Sequence, residues 1–213
     1  MGLAKMNVFL GKYRESLKAF HDRLGVDLVI AEDRPMSKEA EAFCIASEIP
    51  FRMLRDGDDL ADFMPGHADL VMLSSFSTLL RQGVIDRCEL ILNFHGGIIE
   101  DCRGRHPLPS AILAGHPMMG VTCHVIDDEN IDAGPLVTQL KLPIDYDASF
   151  IDNDKRLRLE TENLVRLVAD DYRRNKKLVT RPWTPREDSY FSPVSGKEMD
   201  RLFGAEKLRD LTE

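Results

Sequence analysis

The sequence predicts an α/β fold with a mainly parallel, twisted sheet and helices on both faces. Short runs rich in Val, Ile, Leu and Phe, bounded by Gly, Pro or Asp, recur along the chain and are typical of buried strands. Helical patterns stand between the earlier runs, so that strand followed by helix repeats four times. Such a repeat favours a doubly wound sheet.

The elements follow in order along the chain. We predict seven strands, at residues 5–11, 27–33, 51–54, 69–75, 90–96, 120–127 and 135–144. Helical patterns cover 15–24, 37–48, 78–86, 107–114 and 153–176. In the last of these, one helical stripe carries the apolar positions, which indicates a long helix packed on the sheet: Leu157, Thr161, Leu164, Val165, Val168 and Tyr172.

We predict that these elements form one Rossmann-like domain over residues 1–178. Residues 179–213 contain prolines and aromatic residues without clear periodicity. They are expected to form a tail that packs on the domain or beside a substrate groove. With 213 residues, 43% of them hydrophobic, the chain can bury a substantial core.

The composition also limits the classes of partner. The net charge is −8 and no basic cluster is present, which argues against nucleic-acid binding. No apolar run approaches the roughly 20 residues of a membrane span, and the first residues do not form a signal peptide. The four cysteines lack zinc-site spacing. We therefore expect reduced thiols, no metal site, no membrane contact and a cytoplasmic location.

The stretch ILNFHGG, residues 91–97, ends a predicted strand with an amide and an imidazole two residues apart. Asn93 and His95 should therefore point the same way while Phe94 enters the core. Ligands bind beyond the carboxyl ends of such strands. An imidazole can move protons near neutral pH, and an amide can donate to an oxygen that gains charge. These groups suit acyl transfer to an amine, although a purely structural polar pair is the alternative.

A second block, GVTCHVIDDENIDAGPLVTQ at 120–139, supplies His124, an acidic turn and Asp132. Between the two blocks stands CRGRHPLPSAILAG, residues 102–115. In this order and at this spacing, residues 69–144 resemble the folate-dependent formyltransferase family. That family includes the glycinamide ribonucleotide, methionyl-tRNA and sugar N-formyltransferases.

The resemblance implies roles for three residues. Asn93 would donate its amide hydrogens to the formyl oxygen, and His95 would handle the proton of the attacking amine or stabilise developing charge. Asp132 would hold the imidazole and relay protons through a water. The implied formyl donor is 10-formyltetrahydrofolate and the acceptor is a small primary amine. The resemblance leaves a homodimer open.

It also implies two binding surfaces. The pterin would dock against the loop after the fourth strand and against the acidic turn, at Phe76, Ser77, Thr78, Leu79, Leu80, Ile126, Asp127, Asp128 and Glu129. Contacts to the acceptor are expected at Lys12, Arg14, Gly96, Gly97, His124 and Tyr190. His124 could instead only brace Asp132, and Lys12 and Arg14 could lie in a solvated loop.

Two departures from the family affect the predicted acceptor. Gly96 and Gly97 replace a Pro-Ser pair and permit positive φ angles, so a looser or differently shaped loop is expected. The first turn, LGKYRESL, has one glycine, Gly11, where glycinamide ribonucleotide enzymes have a glycine- and serine-rich phosphate loop. An amino-sugar nucleotide or another small amine is therefore favoured over glycinamide ribonucleotide.

Other functions remain open. Methionyl-tRNA formyltransferases carry a separate RNA-binding domain, for which this acidic chain is expected to have no room. Hydrolysis of 10-formyltetrahydrofolate needs the same three side chains, which would then activate water. A binding protein that has kept the fold without catalysis is a further alternative, favoured only by the altered loop over residues 96–104.

Overall fold

The computed structural model describes residues 5–211, which form a seven-stranded sheet. Residues 1–4 and 212–213, at the ends of the predicted domain and tail, lie outside this range. The strands are β1 (Asn7–Gly11), β2 (Leu28–Glu32), β3 (Phe51–Leu54), β4 (Leu70–Ser74), β5 (Ile91–His95), β6 (Met118–Val125) and β7 (Leu136–Pro143). Their order in the sheet is β3-β2-β1-β4-β5-β6-β7. All seven predicted strands are therefore confirmed.

The first five strands are parallel, whereas β6 and β7 are antiparallel to their neighbours. The connection between β6 and β7, residues 126–135, contains no helix. A segment this short favours antiparallel neighbours, because a parallel crossover needs a dozen or more residues. The sheet is mainly parallel, as predicted.

Helices α1 (Arg14–Leu24), α2 (Ser37–Ala46), α3 (Leu60–Phe63), α4 (Gln82–Ile85) and α5 (Pro107–Leu113) lie between strands. Helices α6 (Phe150–Asn175) and α7 (Gly196–Gly204) follow β7. The prediction of a helix over 78–86 is only partly right, because residues 76–81 form a loop before the single turn of α4. The predicted stripe of α6 is confirmed, since five of its six positions are buried. Helices α3 and α7 were not predicted.

The two faces of the sheet carry separate apolar cores. Alternate residues of a strand enter opposite cores, as the period of two requires. Phe9 and Phe94 belong to the core under α1, α2 and α6, whereas Val8, Leu10 and Ile91 belong to the core under α3 and α4. Helices therefore cover both faces, and the carboxyl ends of the parallel strands β1 to β5 lie together at one edge of the sheet.

The tail packs against the domain. Arg181 and Leu136 pair their backbones at both N–H groups, and Trp183 Nε1 donates to the Gly134 carbonyl at 2.9 Å. Ser195 and Glu198 form a capping box that begins α7. This helix buries Leu202 in the larger core, so the tail forms one body with residues 5–178.

Candidate active site

Asn93 and His95 end strand β5 on the same side, as the sequence predicted. Phe94 between them is buried in the core. The register of β5 against β6 places Asn93 opposite His124. The strands thus bring the amide and the second imidazole together, although the two residues lie 31 positions apart in sequence.

Asp132 enters this group from the turn between β6 and β7. Its Oδ1 lies 3.3 Å from Asn93 Nδ2 and 3.5 Å from His124 Nε2. Its Oδ2 lies 3.5 Å from His95 Nδ1 and accepts the backbone N–H of Gly104 at 2.9 Å. One carboxylate with 10% of its side chain exposed therefore contacts the three other polar side chains.

Hydrogen-bond partners fix the tautomers of both imidazoles. His95 Nε2 lies 2.8 Å from the Cys102 carbonyl oxygen, which only accepts, so this nitrogen carries hydrogen. Its Nδ1 then faces Asp132. His124 Nδ1 lies 3.0 Å from the Val125 carbonyl oxygen and likewise carries hydrogen. His124 Nε2 is left to accept from Asn93 Nδ2 at 3.0 Å.

The prediction that His124 contacts the acceptor requires correction. Its ring is 1% exposed, and both of its nitrogens have partners within the protein. The imidazole accepts one amide hydrogen of Asn93 and so fixes which end of the amide faces Asp132. His124 is therefore placed to orient Asn93.

The pKa of Asp132 lies well below its ordinary value. Burial alone would raise the pKa of this carboxyl. His95 and the Gly104 N–H oppose burial and lower the pKa, because each favours the charged form. The carboxylate is therefore ionised at neutral pH, and its Oδ2 faces His95 Nδ1 as a hydrogen-bond acceptor.

The loop after β5 is packed more tightly than its two glycines predicted. Neither Gly96 nor Gly97 has a positive φ, so the loop does not use the positive φ angles that its two glycines permit. A Cβ on Gly97 would lie 2.6 Å from Pro107 Cβ and 2.8 Å from His95 Nε2. Glycine is needed here because the chain passes against the imidazole. Thr122 Oγ1 also donates to the Gly97 carbonyl at 2.7 Å.

The loop predicted to bind the pterin is held by Glu32, a residue that the sequence analysis missed. Glu32 ends β2, and its Oε1 accepts the Ser77 N–H at 3.1 Å and the Thr78 hydroxyl at 3.0 Å. Leu80 is buried in the smaller core, which corrects its prediction as a pterin contact. Leu79, by contrast, is 51% exposed.

The acidic turn lies against this loop. Glu129 accepts the Gln82 N–H at 2.6 Å, and its other oxygen lies 3.6 Å from Arg81. Asp128 accepts hydrogen bonds from Asn130 within the turn, and Ile126 packs on the smaller core. The two segments predicted to bind the pterin therefore lie together, with Phe76 packed on the same core.

Lys12 and Arg14 line a cleft between α1, α2 and α6. Burial is the main reason that the pKa of Lys12 is lowered. The charge of Glu32 opposes this shift, whereas those of Arg34 and Arg105 add to it. Lys12 follows the end of β1 directly and lies among charges of both signs, since Asp154 also favours its charged form.

Tyr190 lies where the tail meets the site. Its ring is 3.6 Å from the position of a Cβ on Gly104, and the Arg103 guanidinium is 5.8 Å from the ring centroid. Tyr190 remains 45% exposed. The tail therefore contributes an accessible aromatic ring close to the residue whose N–H holds Asp132.

Away from the site, His67, Asp69 and Glu89 offer ligand atoms within 4.8 Å of one another. They precede β4 and β5 and so lie at the opposite edge of the sheet. Asp69 Oδ2 is already occupied by the Met6 N–H at 2.7 Å. Within residues 5–211, no helix has the length and apolarity needed to cross a membrane.

The sequence of this chain is similar to those of known proteins. The family model described as formyl transferase matches residues 34–168. A methionyl-tRNA formyltransferase of Rhizorhabdus wittichii is 30% identical over 137 residues, which cover 64% of this chain and 44% of that protein. The chain thus spans less than half the length of that relative.

Solved structures share the fold. An N-formyltransferase of Helicobacter canadensis, in complex with folinic acid and dTDP-3-aminofucose, superposes with a TM-score of 0.72 at 18% identity. The match covers 89% of this chain and 71% of that one. A phosphoribosylglycinamide formyltransferase of Streptococcus pneumoniae gives a TM-score of 0.67 at 17% identity, over 79% of this chain and 98% of that one.

Proposed function

Because this chain belongs to the formyl transferase family, we propose that it is an N-formyltransferase. It moves a formyl group from 10-formyltetrahydrofolate to a primary amine. The observation that carries the proposal is the convergence of Asn93, His95 and Asp132 at one edge of the sheet. Asn93 Nδ2 and His95 Nδ1 lie 3.3 and 3.5 Å from Asp132, slightly longer than a tight hydrogen bond, as catalytic contacts often are before the substrate binds.

The donor supplies the activated formyl group, and the residues of this chain handle charge and protons. Asn93 donates an N–H to the oxygen that gains negative charge as the amine adds. To do so it gives up its 3.3 Å contact with Asp132 and keeps its bond to His124. The proton that leaves the amine nitrogen is taken at His95 Nδ1, because Nε2 is bonded to the Cys102 carbonyl, and it is returned from there to the departing nitrogen. Asp132, 3.5 Å from Nδ1, stabilises the charged imidazole between the two transfers.

The segments beside this group fit a folate. Leu79 and Ile131 are large apolar side chains left 51% and 36% exposed, on the loop after β4 and the turn before Asp132. A flat heterocycle that covers them would remove apolar surface from water. Glu32 and Glu129 hold the two segments in place through backbone N–H groups.

The acceptor in this proposal carries an anionic group. Lys12 is half-buried, and Arg34 and Arg105 disfavour its charge while Glu32 and Asp154 favour it. A phosphate bound beside Lys12 would give its ammonium a further counter-charge. An amino-sugar nucleotide has both the primary amine and the phosphates. Tyr190 offers an exposed ring on which a base or sugar can stack.

The test is to incubate the protein with 10-formyltetrahydrofolate, with and without candidate amines, and to follow tetrahydrofolate. Amino-sugar nucleotides, glycinamide ribonucleotide and methionyl-tRNA serve as separate acceptors. We expect turnover that requires an amine and is fastest with the amino-sugar nucleotide. Turnover independent of any amine would replace transfer with hydrolysis, and no turnover with folate binding intact would favour a binding protein.

A further inference from the structure

Arg103 lies in the segment between β5 and α5 and connects this segment to the tail and to the turn that contains Asp132. Its Nε donates to Ser189 Oγ at 3.0 Å, and Nη2 donates to the Arg186 carbonyl at 2.9 Å, both in the tail. Its Nη1 donates to the Ile131 carbonyl at 3.3 Å, in the turn between β6 and β7. A planar guanidinium reaches these three acceptors from three separate nitrogens, whereas the three N–H donors of a lysine ammonium radiate from one nitrogen and cannot span the same acceptors.

The Ile131 carbonyl belongs to the peptide bond that leads into Asp132. Asp132 has φ 48°, in the left-handed region, which a non-glycine residue adopts only when its surroundings impose it. The next residue after Arg103, Gly104, donates its N–H to Asp132 Oδ2. Residues 103 and 104 therefore hold Asp132 at its backbone and at its carboxylate.

Gly104 is itself restrained by the tail. It has φ 105°, and a Cβ there would lie 2.5 Å from the Phe191 carbonyl oxygen. The Arg103 N–H donates to the Ser189 carbonyl, and the Phe191 N–H donates to the Arg103 carbonyl. Through Arg103, the position of the tail and the position of Asp132 depend on each other.

We propose that Arg103 is a positioning residue that fixes the carboxylate of Asp132 against His95 and couples it to docking of the tail segment 186–191. The proposal rests on the proposed function for its catalytic consequence. The positional claim stands on the geometry alone. Without the guanidinium, the peptide before Asp132 can rotate and the carboxylate can leave the Gly104 N–H.

Hydrogen exchange of the Gly104 amide measures this positioning without any substrate. We expect Arg103→Gln to speed exchange at Gly104 by about tenfold or more, because opening there no longer requires loss of the guanidinium bonds. Amides of the buried strand β6 should keep their protection. Arg103→Lys should resemble Arg103→Gln, since one ammonium cannot replace the fork.

Arg181→Gln is the matched control. Arg181 lies on the same tail, and its exposed guanidinium has one ion pair, to Glu100 at 3.5 Å. This variant should leave Gly104 exchange unchanged. Should Arg103→Gln fail to fold, Ser189→Ala removes one acceptor from the far side and should speed Gly104 exchange about threefold. The proposal is overturned if the Gly104 amide exchanges at the wild-type rate in whichever of Arg103→Gln and Ser189→Ala folds.

Kinetics supply the second measurement. With an acceptor that supports turnover, Arg103→Lys should lower kcat about tenfold while KM for the folate stays within about threefold, because Asp132 acts on the reacting atoms and not on folate binding. A change confined to KM would refute the positioning role. If the wild-type protein transfers no formyl group, the proposed function fails, whereas the exchange result still decides the role of Arg103.

Discussion

Asn93 uses its two amide hydrogens within the protein, one on His124 and one on Asp132. The two bonds differ in length, at 3.0 and 3.3 Å. The shorter bond orients the amide, and the longer one can be exchanged for a substrate oxygen at low cost. The same side chain is thus held in place and kept available as a donor.

Replacing Asn93 by alanine should therefore remove a donor to the developing charge. We expect Asn93→Ala to lower kcat by about 100-fold or more, measured as amine-dependent release of tetrahydrofolate. Asn175→Ala is the matched control and should leave kcat unchanged, because Asn175 ends α6, outside the segments of the site, and its amide donates to Asp171. Activity within a few-fold of wild type in Asn93→Ala would contradict the assigned role.

His124 affects the reaction indirectly, because it orients the Asn93 amide. His124→Phe keeps a ring of similar shape but removes the acceptor that orients Asn93. We expect kcat to fall about tenfold with a smaller change in KM, since a misplaced donor affects the transition state most. His124→Gln restores an acceptor and should recover part of the loss. Equal effects of Phe and Gln would indicate that only packing matters.

Asp132 should also make stability depend on pH. Its pKa is lowered in the folded protein, so the unfolded chain binds a proton first as the pH falls. The stabilisation is present above the unfolded pKa, about 4, and is lost as the pH falls through the folded pKa. Urea unfolding should show that wild type loses stability relative to Asp132→Asn below about pH 4. A constant difference between the two proteins there would contradict this assignment.

The sequence predicted the common face of Asn93 and His95 because that inference needs only the period of a strand. It did not predict the function of His124, which depends on strand register. The sequence did not identify Glu32 and Arg103 as site residues for a related reason. Their partners are backbone groups and a hydroxyl from distant segments, and no local spacing marks such contacts.

At the scale of elements, the loop after β5 has the opposite character to its sequence. Two adjacent glycines suggested a flexible backbone. In the structure, Gly97 instead lets neighbouring atoms approach the chain closely, whereas a side chain at Gly96 would meet only ordinary contacts. The loop has no room for a side chain at residue 97, because Cys102, Pro107 and His95 all contact Gly97. The tight packing of this loop holds the Cys102 carbonyl against His95 Nε2, and this contact fixes the tautomer of His95.

Alanine substitutions at the two glycines should separate these roles. Gly97→Ala forces atoms closer than real contacts allow and should destabilise the protein by about 1–3 kcal/mol. It should also impair activity by displacing His95. Gly96→Ala places its Cβ 3.7 Å from the nearest atom, an ordinary contact, and should change stability by less than about 0.5 kcal/mol. Chemical denaturation that shows equal losses would contradict the packing argument.

The elements that were missed have few residues or weak periodicity. Helix α3 has four residues, too few for a helical pattern to be visible. Helix α7 has nine residues and one buried position, Leu202, so its apolar face was not apparent among the prolines and aromatic residues. The five inner strands, in contrast, are buried on both faces and appear in the sequence as continuous apolar runs, whereas the edge strands β3 and β7 are only partly buried.

At the scale of the whole molecule, the tail completes both the core and the candidate site. Leu202 and Leu208 are fully buried in the larger core. Trp183 and Arg181 contact the strand and turn that follow Asp132. A boundary at residue 178 was predicted from the loss of periodicity, but the contacts across it predict one cooperative unit.

Trp183 is the only tryptophan in the chain, and its bond to Gly134 makes its fluorescence a reporter of tail docking. Circular dichroism reports the helices of the domain. We expect both signals to give the same urea midpoint. Leu202→Ala should lower both midpoints together, by an amount equivalent to about 2–5 kcal/mol, because it leaves a cavity in the shared core.

Val179→Ala is the control for this experiment, since Val179 is 87% exposed and should leave both midpoints unchanged. An earlier fluorescence transition in the wild-type protein would show that the tail separates from the domain first. In that case the tail could leave Asp132 without unfolding the domain, and Arg103 would lose its partners Ser189 and Arg186 while β5 stayed intact. Coincident transitions would instead mean that the site is preserved only as long as the whole molecule is folded.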